Sequence, residues 1–385
     1  MTSHAEVGLG VIGCGGFGLF ALQHFTQIEG VKLVGMAGTH RPAAHAAAQR
    51  FGVPDIEDVD ALLGRDDINL VYIATPPFLH YPQVMASLEC GKHVICEKPL
   101  ALTVEQADAM IALARRRDRL VVANLMQRYN PLSDAIATLV RLRVLGELLH
   151  GHFENDASDE SLPPDHWFWD RSKSGGIFVE HGVHFFDLFA GWLGVGHVEA
   201  AQVGRRPGTT LEEHVHCTLR YCETALVDFY HGFHQAGRMD RQELRLVFER
   251  GDLMLYEWVP TRGRIVAIAD ERGTRDLCDL FPGARLDIVS GYVPKDRSCQ
   301  ARQRLLDVHQ MVELSFGEGH NKLILYGQLL RSMMADQVAW IRDRAHQRLV
   351  TEENGRNSLT VALIADRLAH APAGPPESAV GGPAP

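Results

Sequence analysis

Apolar positions in the first third of the chain keep two rhythms. Leu9, Val11 and Ile12 belong to a short apolar run of the kind a buried strand makes, and Phe17 to Phe25 then carries helical spacing. "VKLVGMAG" reads as a second strand and "RPAAHAAAQRFG" as a helix opened by Pro42 and stopped by Gly52. "DALLGRDDINLVYIATPP" brings a short helix and a third strand, Leu70 to Ala74, ended by Pro76 and Pro77. Two further helix and strand pairs follow, "YPQVMASLECG" with "HVICEKPL" and "TVEQADAMIALARRRD" with "RLVVANL". Strands alternating with helices predict an α/β architecture, a doubly wound parallel sheet over about residues 5–125.

Beyond about residue 150 the period shortens. "ELLHGHFEND", "HVHCTLRYC", "ALVDFYHGFH", "QELRLVFERGD" and "LMLYEWVP" are strand candidates separated by turn residues, which predicts a large, mostly antiparallel open sheet in an α+β domain. Helices are expected near 177–193, 319–343 and 352–370. The tail "APAGPPESAVGGPAP" has almost no bulky apolar residue and is expected to be disordered. The division expected is 1–126 for the first domain, 127–370 for a substrate-binding and oligomerisation domain, and 371–385 for the tail. Three helices can cover one face of the second sheet. Phe229, Phe233, Tyr256 and Trp258 are assigned to the other, an apolar surface for a homodimer or homotetramer.

Composition narrows the class of partner. The chain has 385 residues, 46% of them hydrophobic, enough for about two cores. Its formal net charge of −10 excludes a non-specific nucleic-acid binder, which needs a basic face, and leaves small molecules as partners. Seven cysteines without a C-x-x-C pair read as reduced thiols in a cytoplasm. No basic segment precedes the first apolar stretch and no apolar run approaches the ~18 residues of a bilayer span, so neither secretion nor membrane insertion is expected.

"VIGCGGFGLF" joins the first strand to the first helix with the spacing Gly13-x-Gly15-x-x-Gly18. The first glycine allows a tight turn, the second lets a pyrophosphate approach the backbone, and the third lets helix and strand pack closely. With Gly16 and Phe17 these residues form a Rossmann dinucleotide cradle, where helix N–H groups meet phosphate. The acid that holds a ribose 2′-OH in NAD sites is missing, since no carboxylate lies between Val34 and Ala48. Thr39, His40 and Arg41 stand there instead and suit a 2′-phosphate, which favours NADP over NAD.

At "CEKPL" the motifs become specific. The glycine pattern, Glu97-Lys98-Pro99 at the end of a later strand, and a "GG…H…D" segment together resemble the Gfo/Idh/MocA family of NAD(P)-dependent oxidoreductases. The likeness covers nearly the whole chain. "TPPFLH" resembles the family's Thr-Pro-Asn-x-x-His loop with Pro77 in place of Asn, and implies cofactor contacts for Thr75, Pro76 and His80. "RYNP" resembles the crossover into the second domain and places Arg128 near substrate; "TEENGRNSLTVALIADRL" resembles the closing helix. The resemblance implies hydride transfer to or from a sugar, cyclitol or related polyol, with sheet-to-sheet dimers or tetramers.

Lys98 ends a strand where open sheets keep their crevice, so its ammonium can polarise a substrate oxygen. Glu97 orients Lys98, contacts the nicotinamide ribose, or caps the helix beginning near Thr103. In "SKSGGIFVEHGVHFFDLFAGWLG", Gly175 and Gly176 permit close backbone approach to a ligand. Glu180 and His184 stand four apart and share a face if helical, so the carboxylate can orient the imidazole or contact substrate. The family pattern D-x-G-x-H here reads E-H-G-x-H, and the resemblance makes Lys98, Glu180 and His184 catalytic. His181 and Trp167 are further substrate candidates, the latter from "HWFWD", either a sugar-stacking wall or a piece of core. His181, His184 and Asp187 recur at metal-like spacing, and His214, His216, His231 and His234 lie on or near strands. No complete ligand set is visible, so no metal is expected. Two other function classes stand beside the dehydrogenase: a nicotinamide-dependent glycosidase or eliminating enzyme without net redox, and a ligand-sensing regulator, against which Lys98 and His184 argue.

Overall fold

Strand burial explains the first domain. The computed structural model describes residues 6–38, 42–317, 319 and 321–372; Thr39, His40, Arg41 and 373–385 of the expected tail lie outside the described residues. Six strands, β1 (Val7–Ile12), β2 (Val31–Ala37), β3 (Ile56–Glu57), β4 (Leu70–Ile73), β5 (His93–Cys96) and β6 (Val121–Ala123), pair in parallel in the order β3-β2-β1-β4-β5-β6. Along β1, β4, β5 and β6 every residue is buried, as a sheet with helices on both faces requires. The chain winds outward from β1 in one direction and from β4 in the other. The carboxyl ends of these two strands therefore flank the crevice in which such sheets take ligands.

The second sheet has nine strands. β7 (Leu148–Ser158), β8 (His197–Arg205), β9 (Glu212–Tyr221), β10 (Ala225–Gln235), β11 (Arg241–Phe248), β12 (Gly251–Tyr256), β13 (Arg262–Ala269), β14 (Arg285–Gly291) and β17 (Gln310–Phe316) lie in the order β14-β17-β13-β12-β11-β7-β10-β9-β8. Only β7 and β10 run parallel. A hairpin, β15 (Ser298–Ala301) with β16 (Arg304–Asp307), stands apart. The five expected strands are β7, β9, β10, β11 and β12; β8, β13, β14 and β17 are not among the expected segments. Helices Val183–Leu193, Lys322–Arg342 and Glu352–Ala369 fall where periodicity put them, the last opened by a capping box between Thr351 and Asn354. Among the described residues no helix is long and apolar enough to cross a membrane.

The helices that pack on this sheet decide which face is covered, and their placement corrects the expected apolar surface. Phe229 and Phe233, two strand-pairs apart on β10, share the helix-covered face. Phe229 packs on Phe186 and Phe189, with ring centroids 5.2 and 4.8 Å apart, and Phe233 on Phe168 at 4.8 Å. Trp258 turns into the crevice between the domains. Of the four aromatics only Tyr256 remains outside, under the Arg262 guanidinium. The outer face instead carries His150, His152, His216, Asp228, Arg245 and Asp252, with hydrogen bonds among them such as His150 Nε2 to Asp228 Oδ2 at 3.1 Å. Period-2 spacing reveals two faces without saying which one the helices choose.

Arg128 is also placed differently from expectation. Its Nε and Nη2 donate to the two oxygens of buried Asp187 at 2.9 and 3.1 Å, and Asn354 Nδ2 donates to Asp187 Oδ1 at 3.1 Å. One carboxylate thus joins the crossover after β6, the helix Val183–Leu193 and the closing helix. Arg128 does not line the crevice. Arg128→Met, which strands the Asp187 carboxylate, is expected to lower stability by about 3 kcal/mol. An unchanged denaturation midpoint together with a raised KM would return Arg128 to the substrate.

Candidate active site

The glycine turn works through three different constraints. Gly13 has φ +105°, and a Cβ there would sit 2.5 Å from the Ala74 carbonyl oxygen; a Cβ on Gly18 would sit 2.5 Å from the Gly13 oxygen. Both hold the helix Gly16–Phe25 tightly against β1 and β4. Gly15 and Gly16 have nothing within 4 Å of a built Cβ, so they open the helix N-terminus to a ligand. This turn floors a cleft of about 1150 Å³ that runs to Lys98, Glu180 and His184. A positive helix end, a backbone free of side chains and a cleft of this size fit a dinucleotide.

Gly13, Gly15, Gly16, Phe17, Gly18, Thr75, Pro76, Glu97, Lys98, Trp167, Glu180 and His184 all line this one cleft. His80, Arg128 and His181 do not. His166, from the "HWFWD" cluster, lines it too, and sequence reasoning missed Asp58, Asn124, Trp258 and Tyr326, which also do. Asp58 follows β3 and lines the cleft with Gly38 at the end of β2, so this carboxylate belongs to a later element than the strand end where a ribose-binding acid is expected.

Around Lys98 the loop is fixed from both sides. Glu97 is buried and its Oε1 accepts from the Tyr72 hydroxyl and, at 2.7 Å, from Asn124 Nδ2. Burial pushes its carboxyl above the usual range. The cap of the next helix is Thr103, whose hydroxyl accepts from Gln106 N, so Glu97 has no part in it. On the other side His80 is buried, with Nδ1 2.7 Å from the Pro99 oxygen and Nε2 2.8 Å from the Thr75 oxygen. It ties the loop after β4 to the loop after β5.

Lys98 Nζ donates to Glu180 Oε1 at 2.6 Å and to the Glu180 carbonyl at 3.0 Å. The carboxylate therefore holds the lysine, and no hydrogen bond joins it to His184. Residues 178–182 form a π-helical turn that departs from the α-helical register assumed for this pair. His184 is buried, its Nδ1 has no hydrogen-bond partner among the described residues, and Nε2 is left as the nitrogen that can meet a substrate. Burial, and then the Lys98 charge, hold this imidazole well below its ordinary pKa, so it is neutral. Gly175 and Gly176, at φ +84° and +91°, approach Val179 and Arg171 and no part of the cleft. "HWFWD" divides: His166 and Trp167 face the cleft while Phe168 enters the core.

Among the described residues one group of three metal-ligand types converges, Glu212, Asp366 and His370. Arg171 lies among them, donating to Glu212 Oε2 at 2.5 Å and to Asp366 at 2.7 and 2.8 Å. The cluster is an ion-pair network tying the closing helix to the start of β9.

The glycines separate folding from binding. Gly15 has φ −79°, open to any residue, so Gly15→Ala is expected to keep the wild-type melting temperature and weaken nucleotide binding about tenfold or more, by blocking the phosphate approach. Gly18→Ala meets backbone and is expected to lose about 1–3 kcal/mol of stability. Calorimetry and nucleotide titration of both variants check this; equal melting temperatures for the two, or full nucleotide affinity in Gly15→Ala, contradict it.

Residues 7–125 match the family described as "Oxidoreductase family, NAD-binding Rossmann fold", and residues 134–254 match "GFO/IDH/MocA C-terminal domain". A protein of Shewanella putrefaciens named "Glycosyl hydrolase family 109 protein" is 32% identical over 195 residues, a stretch covering 46% of this chain and 42% of that protein. Levoglucosan dehydrogenase, solved with NADH and L-sorbose, superposes with a TM-score of 0.73 at 19% identity over 95% of this chain and 97% of its own. Biliverdin reductase from Synechocystis, solved with biliverdin and NADP+, does so with a TM-score of 0.69 at 19% identity over 94% and 98%. At these identities the structural likeness speaks for the fold. The two consecutive family matches, on a chain with this cradle and this second sheet, make it a member of the Gfo/Idh/MocA oxidoreductase family.

Proposed function

We propose that the protein is a nicotinamide-dependent dehydrogenase or reductase acting on a hydroxyl or carbonyl carbon of a sugar, cyclitol or related polyol. The observation that carries this is a lysine ammonium clamped by Glu180 beside a neutral, buried His184, at the inner end of a dinucleotide-shaped cleft. The nicotinamide, when bound, supplies the hydride acceptor or donor. Lys98 has one N–H direction beyond its two bonds to Glu180, and it points charge at the substrate oxygen as negative charge develops there. His184 Nε2 takes or returns the hydroxyl proton. Trp167 and Trp258 offer aromatic faces to the apolar face of a sugar ring.

Two features at the adenosine end pull against each other. Arg41, with Thr39 and His40, suits a 2′-phosphate and is the ground for NADP. Asp58 beside Gly38 suits a ribose hydroxyl, as in NAD. We infer NADP on the strength of Thr39, His40 and Arg41, and parallel titrations with NADPH and NADH decide it.

The likeness to glycosyl hydrolase family 109 proteins favours a second reading, in which the same residues serve a glycosidase that oxidises and re-reduces its sugar without net redox. Substrate panels separate the two: reduced nicotinamide accumulating with levoglucosan, L-sorbose or myo-inositol supports the dehydrogenase. Nitrophenol released from an aryl glycoside without net reduced nucleotide supports the glycosidase. In either case Lys98→Met is expected to lower turnover about a hundredfold or more and keep nucleotide affinity within a few-fold. Near wild-type turnover in that variant removes Lys98 from the chemistry.

We also infer a homodimer or homotetramer built on the outer face of the nine-stranded sheet. Its polar residues already pair within the face, and the groove lined by Val247, Val266, Ile268 and Met311 gives it apolar contact. All seven cysteines are free, in keeping with a cytoplasmic setting. Light scattering at micromolar concentration is expected to return a multiple of 42.7 kDa; a monodisperse particle of that mass contradicts the assembly.

A further inference from the structure

His181 stands at the first variable position of the D-x-G-x-H pattern, one residue after the glutamate that holds Lys98. Its ring is buried and both nitrogens are engaged. The Trp258 indole Nε1–H donates to His181 Nε2 at 3.2 Å, and the Nδ1 atoms of His181 and His231 are 3.0 Å apart. An indole can only donate, so His181 Nε2 carries a lone pair and the proton of the neutral ring sits on Nδ1, facing His231 Nδ1 as its acceptor. Burial holds both imidazoles below their ordinary pKa, His231 at about 3, which keeps them neutral, and the indole donor sets the tautomer of His181. With both nitrogens occupied by protein, His181 has none for a substrate.

Trp258 is the link to the chemistry. It lines the cleft, and its ring meets that of His184 edge-on, centroids 4.9 Å apart at 84°. His184 Nδ1 is buried without a hydrogen-bond partner among the described residues, so the tilt of this imidazole is set by packing, foremost against that indole. In hydrolases and dehydrogenases alike, an acid-base histidine needs its second nitrogen or its ring face held for the first to point correctly.

We propose that His181 is a positioning residue: it fixes the Trp258 indole through the Nε1–H bond, and the indole in turn sets His184 toward the substrate oxygen. This rests on the reading of His184 as the group that handles the hydroxyl proton. His231 completes the device by accepting the His181 Nδ1–H.

The test has an arm that needs no substrate. In protein labelled with nitrogen-15 tryptophan, the Trp258 indole N–H resonance, assigned by its loss in Trp258→Phe, is expected downfield of the free-indole region, as is that of Trp169, whose Nε1–H donates to the Leu162 carbonyl at 3.1 Å. The Trp258 resonance should move to the free-indole region in His181→Phe and stay downfield in His181→Gln, which retains an acceptor. In turnover with whichever polyol or glycoside the enzyme accepts, His181→Phe is expected to lower kcat about tenfold or more, the scale of a catalytic group displaced by a fraction of an ångström, at unchanged NADH or NADPH affinity. Trp258→Phe should lower kcat similarly, and adding His181→Phe to it should cost little further. An indole resonance unmoved by His181→Phe, or losses in kcat that multiply in the double variant, overturns the proposal. If no substrate turns over, the reading of His184 fails, and the indole resonance alone decides the His181–Trp258 contact. If His181→Phe does not fold, His181→Gln with a freely exchanging, upfield indole proton overturns it equally.

Discussion

The ion pair between Lys98 and Glu180 joins residues 82 apart in the chain and brings the two domains to one point. Both side chains are mostly withdrawn from water, 16% and 13% exposed, so the pair stands only while each charge keeps the other. Removing one partner of such a pair costs about 3–5 kcal/mol, because the remaining charge is left desolvated and alone. The surrounding structure holds this geometry rather than leaving it to two flexible side chains. Glu97, one residue before, is anchored by Tyr72 and Asn124, and the Pro99 carbonyl, one residue after, is held by His80. His80 faces a carbonyl with each nitrogen, although a neutral imidazole has one N–H to offer. Burial lowers its pKa and the two carbonyls raise it, with burial the larger effect.

From that point the second domain builds outward in aromatic contacts. Tyr326, on the long helix Lys322–Arg342, packs its ring 5.5 Å from Trp258 and 6.0 Å from Phe17 of the glycine turn. A residue near the end of the chain thereby meets one near its start, across the cleft. The Arg128, Asp187 and Asn354 cluster closes the same join about one turn further along the helix Val183–Leu193. Cofactor turn, lysine loop and histidine helix are held as one body by three unlike devices: an ion pair, an aromatic stack and a shared buried carboxylate.

Which parts of this were legible in sequence follows from how far each constraint reaches. The glycine turn was legible because positive φ and a 2.5 Å approach leave a local signature that only glycine satisfies. Lys98 and His184 were legible because a strand end and a polar residue in an apolar helix are also local facts. Asp58, Trp258 and Tyr326 reach the cleft along tertiary paths with no short-range pattern. Arg128 misled because a basic residue after a strand looks the same whether its carboxylate is a substrate or Asp187, which lies 59 residues on. The outer sheet face misled for a related reason. Alternation identified two sides of β10, and the covering helices, which the spacing does not orient, chose the side of Phe229 and Phe233.

The glutamate at position 180 has a consequence for recognition. Its side-chain oxygen and its own carbonyl both take hydrogen bonds from Lys98, so two of the three ammonium donors face inward. If Lys98 meets substrate as proposed, one donor remains for it, enough to hold a single oxygen and too few to measure a pattern of hydroxyls. On the proposed function, discrimination among polyols falls to the residues that wall the cleft: His166 and Trp167 from the loop before the glycine pair, and Trp258 with Tyr326 from the second domain. Aromatic walls select by shape and by the apolar face of a ring more than by counting hydroxyls. In that reading the lysine fixes where reaction occurs, and the aromatic residues fix what is brought there.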